Sequence, residues 1–224
     1  MSASETTEKD VIDILIGRGI LTFSFNPPYV YTTGLKSPIY IDNRMLISFP
    51  KENALIVKEL INLIRANNEL KNIEYISSSL SYAAPFGILI ANALSLPLIL
   101  IREEHRTHGK RNRIEGHLPK GSRVLVVEDH ISTGAALVDN ALVVRENGGK
   151  VNFAVAITDY GLDSTKKTLL ENNLKSFVLA QGIPMVKEGA RRGLLSEQEE
   201  KDVLDWFKDP IKWGEERGYY SNSN

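Results

Sequence analysis

Short apolar segments that alternate with helices are the feature that most constrains how this chain can fold. From Tyr75 onward, the apolar segments are short enough for strands, and the segments between them show helical spacing. The predicted strands are EYISS, LPLILI, SRVLVVE, KVNFAVAIT and KSFVLA, with helices over about 84–95, 134–147 and 164–173. Because these strands are apolar on both faces, the pattern predicts a parallel sheet with helices on both sides.

The N-terminal region shows a different pattern. Helical spacing predicts one helix over residues 7–20 and a second over residues 51–67. Between them, the stretch YVYTTGLKSPIYIDNR (29–44) predicts two short strands around a turn at Gly34, with Pro38 limiting their pairing.

The C-terminal region is predicted to be helical. SEQE at 196–199 has the pattern of a capping box, which starts a helix with Val203, Leu204 and Phe207 on one face. The closing YYSNSN is expected to fray. The simplest partition is one α/β domain over 1–224, made of an N-terminal helix and hood strands (1–50), a core (70–181) and a C-terminal helix (195–209).

Composition restricts the class of protein. The 27 basic and 28 acidic residues give a net charge of −1, which disfavours a general nucleic-acid-binding protein. The chain has no cysteine, so disulfides and thiol catalysis are excluded. The longest apolar run, over about 83–101, is interrupted by prolines and polar residues and fits no membrane span. The first residues, MSASETTEKD, lack the pattern of a secretory signal, and we expect a cytoplasmic protein.

The stretch VLVVEDHISTG (124–134) carries the clearest chemical pattern. An apolar strand leads into Glu128 and Asp129, and the small residues Ser132, Thr133 and Gly134 follow where a helix begins. Ligands of parallel sheets bind at the carboxyl ends of strands, and a helix N-terminus favours an anion. Paired carboxylates beside a phosphate site suit a phosphorylated sugar. An ordinary strand-to-helix turn is the alternative, and the GxxxxGK[ST] pattern of P-loop proteins is absent.

Three motifs resemble one known family. VLVVEDHISTG is similar to the phosphoribosyl-diphosphate (PRPP) signature of type I phosphoribosyltransferases. TTGLKSPIYIDNR (32–44) resembles the N-terminal motif of orotate phosphoribosyltransferases, and REEHRTHGKRNRIEG (102–116) resembles their flexible catalytic loop. The motifs stand in the family's order, so the resemblance covers about residues 8–181. It implies the type I fold, with a central parallel sheet and a small N-terminal hood, and transfer of ribose 5-phosphate from PRPP to orotate.

The resemblance also implies roles for individual residues. Arg106, His108 and Asp129 would be catalytic, and Glu128 and Asp129 would bind the ribose hydroxyls. Further substrate-binding positions would be Ser132, Thr133, Gly134, Ala135 and Ala136 at the 5-phosphate, Arg102, Tyr82 and Ala83 at the diphosphate, and Lys36, Tyr40, Ile41 and Tyr160. Mg²⁺ would bind mainly through PRPP, without a metal site of the protein's own. The family implies a homodimer whose loop reaches the neighbouring subunit's site, and no nucleic-acid or membrane partner is expected.

The chain departs from the family's pattern where the diphosphate and the base would bind. In the family, lysines are usual at the positions of Thr32, Glu103 and Arg106, and a lysine or threonine is usual at the position of Ala83. A threonine is common at the position of Ala135, and the arginine that holds the orotate carboxylate is expected at the position of Tyr160. We therefore expect sugar-phosphate binding to be retained and orotate recognition and diphosphate handling to be weakened. Two alternatives remain open: a non-catalytic, regulatory PRPP- or nucleotide-binding paralogue, and a phosphoribosyltransferase for another base.

Neither the histidines nor the cations of the loop are predicted to form a metal site or an RNA-binding surface. A metal site at His105 and His108 is disfavoured because a polar loop rich in glycine and arginine is a poor rigid cage. An RNA-binding surface is disfavoured because acids interleave with the loop cations and aromatic residues do not. His130, where the family has an apolar residue, is expected to be a satisfied, partly buried histidine.

Overall fold

The computed structural model describes residues 5–31, 33–103 and 113–220, with side chains from residue 8 onward. The strands are β1 (Leu21–Phe23), β2 (Tyr29–Val30), β3 (Lys36–Ser37), β4 (Ile39–Ile41), β5 (Tyr75–Ser79), β6 (Leu98–Ile101), β7 (Ile114–Glu115), β8 (Arg123–Ile131), β9 (Lys150–Asp159) and β10 (Lys175–Gln181). The α-helices are α1 (Glu5–Gly17), α2 (Pro50–Ala66), α3 (Ala84–Leu94), α4 (Ala135–Glu146), α5 (Asp163–Glu171), α6 (Gly182–Arg191), α7 (Glu197–Lys208) and α8 (Pro210–Glu216). Short 3₁₀ helices cover Asn43–Ser48 and Asn68–Leu70.

The central sheet confirms the predicted α/β fold. Its strand order in the described chain is β10-β9-β8-β5-β6-β7, and every neighbouring pair is parallel except β6 and β7. The strand β8 lies in the middle, so the acids near its end stand at the centre of the sheet edge where ligands of such folds bind.

The predicted end of β8 at Glu128 is wrong, because the strand continues to Ile131. The neighbouring strand β9 runs alongside it, pairing His130 with Thr158 and Ile131 with Asp159. These partners satisfy the backbone of the extra residues, so the polar character of the acids does not stop the strand.

Two hydrophobic cores lie on opposite faces of the sheet. Alternate residues of β8 divide between them: Leu125 and Val127 pack in the core that contains α1 and α2, and Val124 and Val126 in the core that contains α4. This division follows from the two-residue period of a strand. It confirms the prediction that helices cover both faces.

The hood, residues 21–48, is built from two small antiparallel ribbons. β2 pairs with β3 around Gly34, whose φ of +83° lies in the left-handed region that glycine tolerates. This confirms the predicted strands around that turn. β4 follows Pro38 and pairs with β1, a strand that the sequence pattern did not predict.

The C-terminal helices pack against the hood. The predicted capping box is confirmed, because the Ser196 hydroxyl accepts from the Glu199 N–H and the Glu199 carboxylate accepts from the Ser196 N–H. The expected fraying is wrong for Tyr220, whose hydroxyl accepts a hydrogen bond from the Lys36 N–H at 2.8 Å. Residues 221–224 lie outside the described part of the chain. None of the described helices has the length and apolar content needed to cross a bilayer.

Helices α6 and α8 were not predicted. Helix α6 follows β10 without a polar linker, so the sequence shows no break between the strand and the helix. Helix α8 is short, and Pro210 and the cap formed by Asp209 start it directly after α7.

Candidate active site

Two adjacent acids at the end of β8 form the polar centre of the site. The Glu128 side chain is 5% exposed, and its Oε1 accepts from the Asp129 N–H at 3.1 Å. Its Oε2 is buried and has no hydrogen-bond partner among the described residues. Burial, strengthened by the charge of Asp129, raises the pKa of Glu128 well above its usual value, and burial also raises the pKa of Asp129. Glu128 therefore offers a buried oxygen that a hydroxyl group of a ligand would satisfy.

The cradle, residues 128–136, continues from these acids into the first turn of α4. Gly134 has φ +79°, and a Cβ built on it would lie 3.3 Å from Thr165 Cγ2, so the turn needs a glycine. The Thr165 hydroxyl donates to the Ser132 carbonyl at 2.5 Å and fixes the loop. The N–H groups of the first turn of α4 have no partners within the helix, and the helix dipole favours an anion beside them.

A cavity of about 230 Å³ joins the cradle to the hood. Its lining comprises Glu128, residues 130–137, Leu162, Trp206, and Tyr31, Thr33 and Leu35 of the hood. The structure thus brings Glu128 and all five predicted phosphate-binding residues, 132–136, to one cavity. A carboxylate and a helix N-terminus in the same cavity suit a ligand that carries both hydroxyls and a phosphate.

His130 lies on the wall of this cavity and is half-buried. Its Nδ1 is 2.9 Å from the Thr158 hydroxyl, and its ring contacts Tyr160 edge-on at a centroid distance of 4.3 Å. Its Nε2 is buried without a partner in the described chain. The prediction of a hydrogen-bonded histidine is therefore confirmed for Nδ1 and wrong for Nε2. Burial lowers the pKa of His130 to about 3, so the imidazole is neutral at physiological pH.

Tyr160 lies behind the cavity wall. It is 1% exposed, its hydroxyl is 2.6 Å from that of Tyr31, and its ring packs against Trp206 and Phe207. Burial raises the pKa of Tyr31 to about 12 and that of Tyr160 well above its usual value, so both phenols are neutral. The structure places this residue in the core, and its predicted role at the base stays a prediction.

Three further predicted substrate-binding residues, Lys36, Tyr40 and Ile41, belong to the hood and do not line the cavity. The Tyr40 ring packs at a tilt against those of Tyr29 and Tyr31, with ring centroids 5.2 Å and 5.9 Å away. Ile41 is buried and pairs with Leu21 of β1. The Lys36 carbonyl accepts from the Trp206 indole N–H at 2.7 Å, which ties β3 to α7.

The predicted diphosphate residues lie on separate segments. Tyr82 is 58% exposed in the turn between β5 and α3, next to Ala83, which is buried. Arg102 follows β6 and forms an ion pair with Glu115 of β7. The charge of Glu103 is one of the causes that raise the pKa of Glu128, after burial and Asp129. Thr32, Arg106 and His108 lie outside the described residues, as do His105, Lys110 and Arg111.

Two hood residues that were assigned no role contact the site. Asn43 is buried, and its Nδ2 donates to the Asp129 carbonyl and to the Thr158 hydroxyl, both at 2.8 Å. Arg44 lies over the Tyr82 ring, with its Cζ 4.8 Å from the ring centroid. Both residues stand in the quoted motif TTGLKSPIYIDNR, so a signal existed. Their partners lie far away in sequence, so the motif alone did not reveal these contacts.

Trp206 also lines the cavity without having been predicted to. It follows Val203 by three positions on α7 and shares its buried face. Helical spacing could therefore have placed it in the core, although not at the cavity.

Comparisons with known proteins relate the chain to one family of enzymes. No protein-family model matches the chain. The chain is 33% identical over 204 residues to an orotate phosphoribosyltransferase of Coxiella burnetii, covering 91% of this chain and 97% of the relative. An orotate phosphoribosyltransferase structure from Aeropyrum pernix matches with a TM-score of 0.70 and 25% identity, covering 81% of this chain and 98% of that one.

A longer protein shares the fold. The structure of Leishmania donovani UMP synthase matches 92% of this chain and 42% of its own, with a TM-score of 0.75 and 23% identity. This chain thus spans less than half of that protein, and the likeness concerns the fold alone. The relative from Coxiella matches over nearly the whole of both sequences at 33% identity, and this shows that the chain belongs to the orotate phosphoribosyltransferase family.

Proposed function

We propose that this protein transfers ribose 5-phosphate from PRPP to orotate, giving orotidine 5′-phosphate and pyrophosphate in pyrimidine nucleotide synthesis. The observation that carries the proposal is the cavity in which Glu128 and the cradle residues 132–136 meet. Family membership supports the same reaction, because the relative from Coxiella is an orotate phosphoribosyltransferase.

The geometry suggests how each part would act. The first turn of α4 would hold the 5-phosphate, and Glu128 and Asp129 would accept hydrogen bonds from the ribose hydroxyls. As the bond to the diphosphate breaks, the sugar becomes cationic, and negative charge on the same pair of acids would stabilise it. Fixing the sugar in this way also aligns its reacting carbon with the base.

We also propose that Mg²⁺ binds together with the diphosphate of PRPP. The described residues contain no group of three or more His, Cys, Asp or Glu side chains that could hold a metal ion. The Glu128 and Asp129 oxygens are ligands of the type that Mg²⁺ accepts, but a pair of carboxylates leaves most of its coordination to the substrate. When bound, the ion would neutralise the charge of the leaving diphosphate. We expect EDTA to abolish turnover and added Mg²⁺ to restore it.

The direct test is a turnover assay. Purified protein is mixed with PRPP, Mg²⁺ and orotate, and the loss of orotate absorbance is followed while pyrophosphate is measured independently. Stoichiometric formation of pyrophosphate and orotidine 5′-phosphate supports the proposal. PRPP binding in calorimetry without turnover on orotate contradicts it, and a panel of other bases then tests transfer to a different acceptor.

We also propose that the protein is a homodimer, as the family resemblance implies. Support comes from the exposed side chains of Ile47 on the 3₁₀ helix 43–48 and Leu89 on α3, which line one groove together with Ala54 and Val57 of α2. Contiguous exposed apolar surface of this kind is typical of a protein interface.

Sedimentation of variants tests the dimer. Leu89→Glu is expected to shift the protein from dimer to monomer, because it places a charge in the apolar face. Leu170→Glu is the matched control, since Leu170 is 77% exposed on α5 and lies away from this face. A monomeric wild type, or a dimer that Leu89→Glu leaves intact, contradicts the proposed interface. The cytoplasmic location stays a proposal too, and fractionation of cells that express the chain would test it.

A further inference from the structure

Arg44 connects the hood to the turn that precedes α3. Its guanidinium donates from Nη2 to Asp42 Oδ2 at 2.6 Å and to the Tyr40 hydroxyl at 3.1 Å, and it also pairs with Asp42 through Nε. On the other side it covers the Tyr82 ring, with Cζ 4.8 Å from the centroid. These contacts hold a planar cation in a fixed orientation at the open side of the hood.

The guanidinium keeps the capacity to bind a ligand. Arginine has five N–H donors, and the bonds to Asp42 and Tyr40 use Nε and Nη2, so they leave both N–H groups of Nη1. The side chain is 38% exposed, which allows an anion to reach it. A guanidinium oriented by a carboxylate and an aromatic ring is preorganised to bind phosphate oxygens.

Other described groups at this end of the site supply little free positive charge. Ala83 is apolar and buried, Glu103 is acidic, and Arg102 is already paired with Glu115. Burial raises the pKa of Asp129, and the charge of Arg44 opposes that rise, which shows that the two side chains lie close enough to interact.

We propose that Arg44 binds the diphosphate of PRPP, and pyrophosphate in the reverse reaction, with the Tyr82 ring and Asp42 holding its guanidinium in place. This inference rests on the proposed phosphoribosyl transfer and adds a diphosphate-binding residue to it. The hood would thereby supply positive charge to the leaving group, in addition to covering the base.

Steady-state kinetics of matched variants test the assignment. Arg44→Met is expected to raise the KM for PRPP, and for pyrophosphate in the reverse reaction, by about 10- to 100-fold, the range for a lost charged hydrogen bond. The KM for orotate should stay within about two-fold, because the loss is confined to the diphosphate. Arg44→Lys should give an intermediate KM, since it keeps the charge and loses the planar fork.

Arg18→Met is the matched control. Arg18 also lies 4.8 Å above an aromatic ring, that of Phe49, and pairs with a carboxylate, Glu52, but neither partner is a predicted site residue, whereas Arg44 covers Tyr82. Arg18→Met should leave every KM within about two-fold of the wild type. Tyr82→Leu should raise the same two KM values as Arg44→Met by a smaller factor, and Tyr82→Phe by less again, because it keeps the ring under the guanidinium and loses only the hydroxyl that also interacts with Arg44.

Two outcomes overturn the inference. One is an unchanged KM for PRPP and pyrophosphate in Arg44→Met. The other is an equal rise in all three KM values with a lower Tm, which indicates a structural role. If the wild type shows no turnover, calorimetry with Mg²⁺-pyrophosphate decides separately. Wild-type binding that weakens in Arg44→Met then supports the inference although the proposed function fails, and absence of wild-type binding overturns it.

Discussion

The cradle and the hood border the same cavity, but they are built in opposite ways. The cradle is one continuous stretch, residues 128–136, held by the backbone of β8 and the first turn of α4. The hood reaches the site through side chains, such as that of Asn43, whose partner Asp129 lies 86 residues away. A ligand group bound by the cradle is therefore positioned by rigid elements, whereas the hood side depends on a few side-chain contacts. We expect cradle substitutions to cost activity, and substitutions on the buried side of the hood, at Asn43, to cost stability.

Gly134→Ala should have the largest effect on activity. Its Cβ would approach Thr165 Cγ2 to 3.3 Å in a backbone with φ +79°, so the loop that holds the phosphate must shift. A displacement of about 1 Å can lower kcat/KM by about 100-fold. Steady-state kinetics with PRPP as the varied substrate measure the effect.

Gly121→Ala is its control. Gly121 has φ +85° and open space around it, so the variant carries similar backbone strain without a steric clash and away from the cavity. It should lose stability, by about 1–2 kcal/mol, and keep kcat/KM within about two-fold. Equal losses of kcat/KM in Gly134→Ala and Gly121→Ala would show that the cradle glycine matters no more for activity than a glycine in another turn.

Glu128→Gln should lower kcat/KM by about 10- to 100-fold, because glutamine keeps the shape and loses the charged acceptor.

The same change, Glu128→Gln, should raise the Tm at neutral pH. The pKa of Glu128 is raised in the folded protein by burial and by Asp129, so its contribution to stability is present below its usual value of 4.5 and is lost as the pH rises through the raised value. Glutamine does not ionise and avoids that loss.

The pH dependence of this difference is the sharper measurement. Thermal unfolding of wild type and Glu128→Gln should converge as the pH falls toward 4.5 and diverge toward neutral pH. For a chain of this size, each kcal/mol corresponds to about 2–4 °C in Tm. Glu171→Gln, at an exposed acid on α5, should change the Tm little at any pH. A Glu128→Gln variant less stable than wild type at neutral pH would contradict the destabilisation ascribed to ionisation of the buried Glu128.

Asn43→Ala tests the hood from its buried side. It removes two hydrogen bonds of 2.8 Å and leaves the Asp129 carbonyl and the Thr158 hydroxyl without that donor. We expect a loss of about 1–3 kcal/mol in the free energy of unfolding, measured by urea denaturation. Asn62→Ala, on the exposed surface of α2, should change stability by less than about 0.5 kcal/mol. A larger effect on kcat/KM than that of Glu128→Gln would contradict the contrast between hood and cradle.

Tyr160→Phe should have the smallest effect. It removes one buried hydroxyl, 2.6 Å from that of Tyr31, at a cost of about 1 kcal/mol, and leaves the aromatic packing intact. Tyr31→Phe should cost a similar amount, and the double variant less than the sum, because both remove the same hydrogen bond. A strong rise in the KM for orotate in Tyr160→Phe would show that this residue contacts the base, as the resemblance implied.

Much of the fold could be predicted from local patterns. The alternation of apolar strands and helices after Tyr75 indicated the parallel sheet, and SEQE marked the start of α7. The strand β8 was predicted too short because its last residues are polar, and only the neighbouring strand β9 shows where their backbone partners lie. Strand β1 was missed because it is only three residues long, and helix α6 because it follows β10 without a break in pattern.

The sequence by itself determined which groups the cradle offers, because acids, small residues and a glycine stand in one continuous stretch at the start of a helix. Only the tertiary structure decided that Tyr160 lies in the core beside Trp206 and that Arg44 lies over Tyr82. Such contacts join segments far apart in the chain, and they depend on how the hood and the C-terminal helices pack on the sheet. Local periodicity carries no information about that packing.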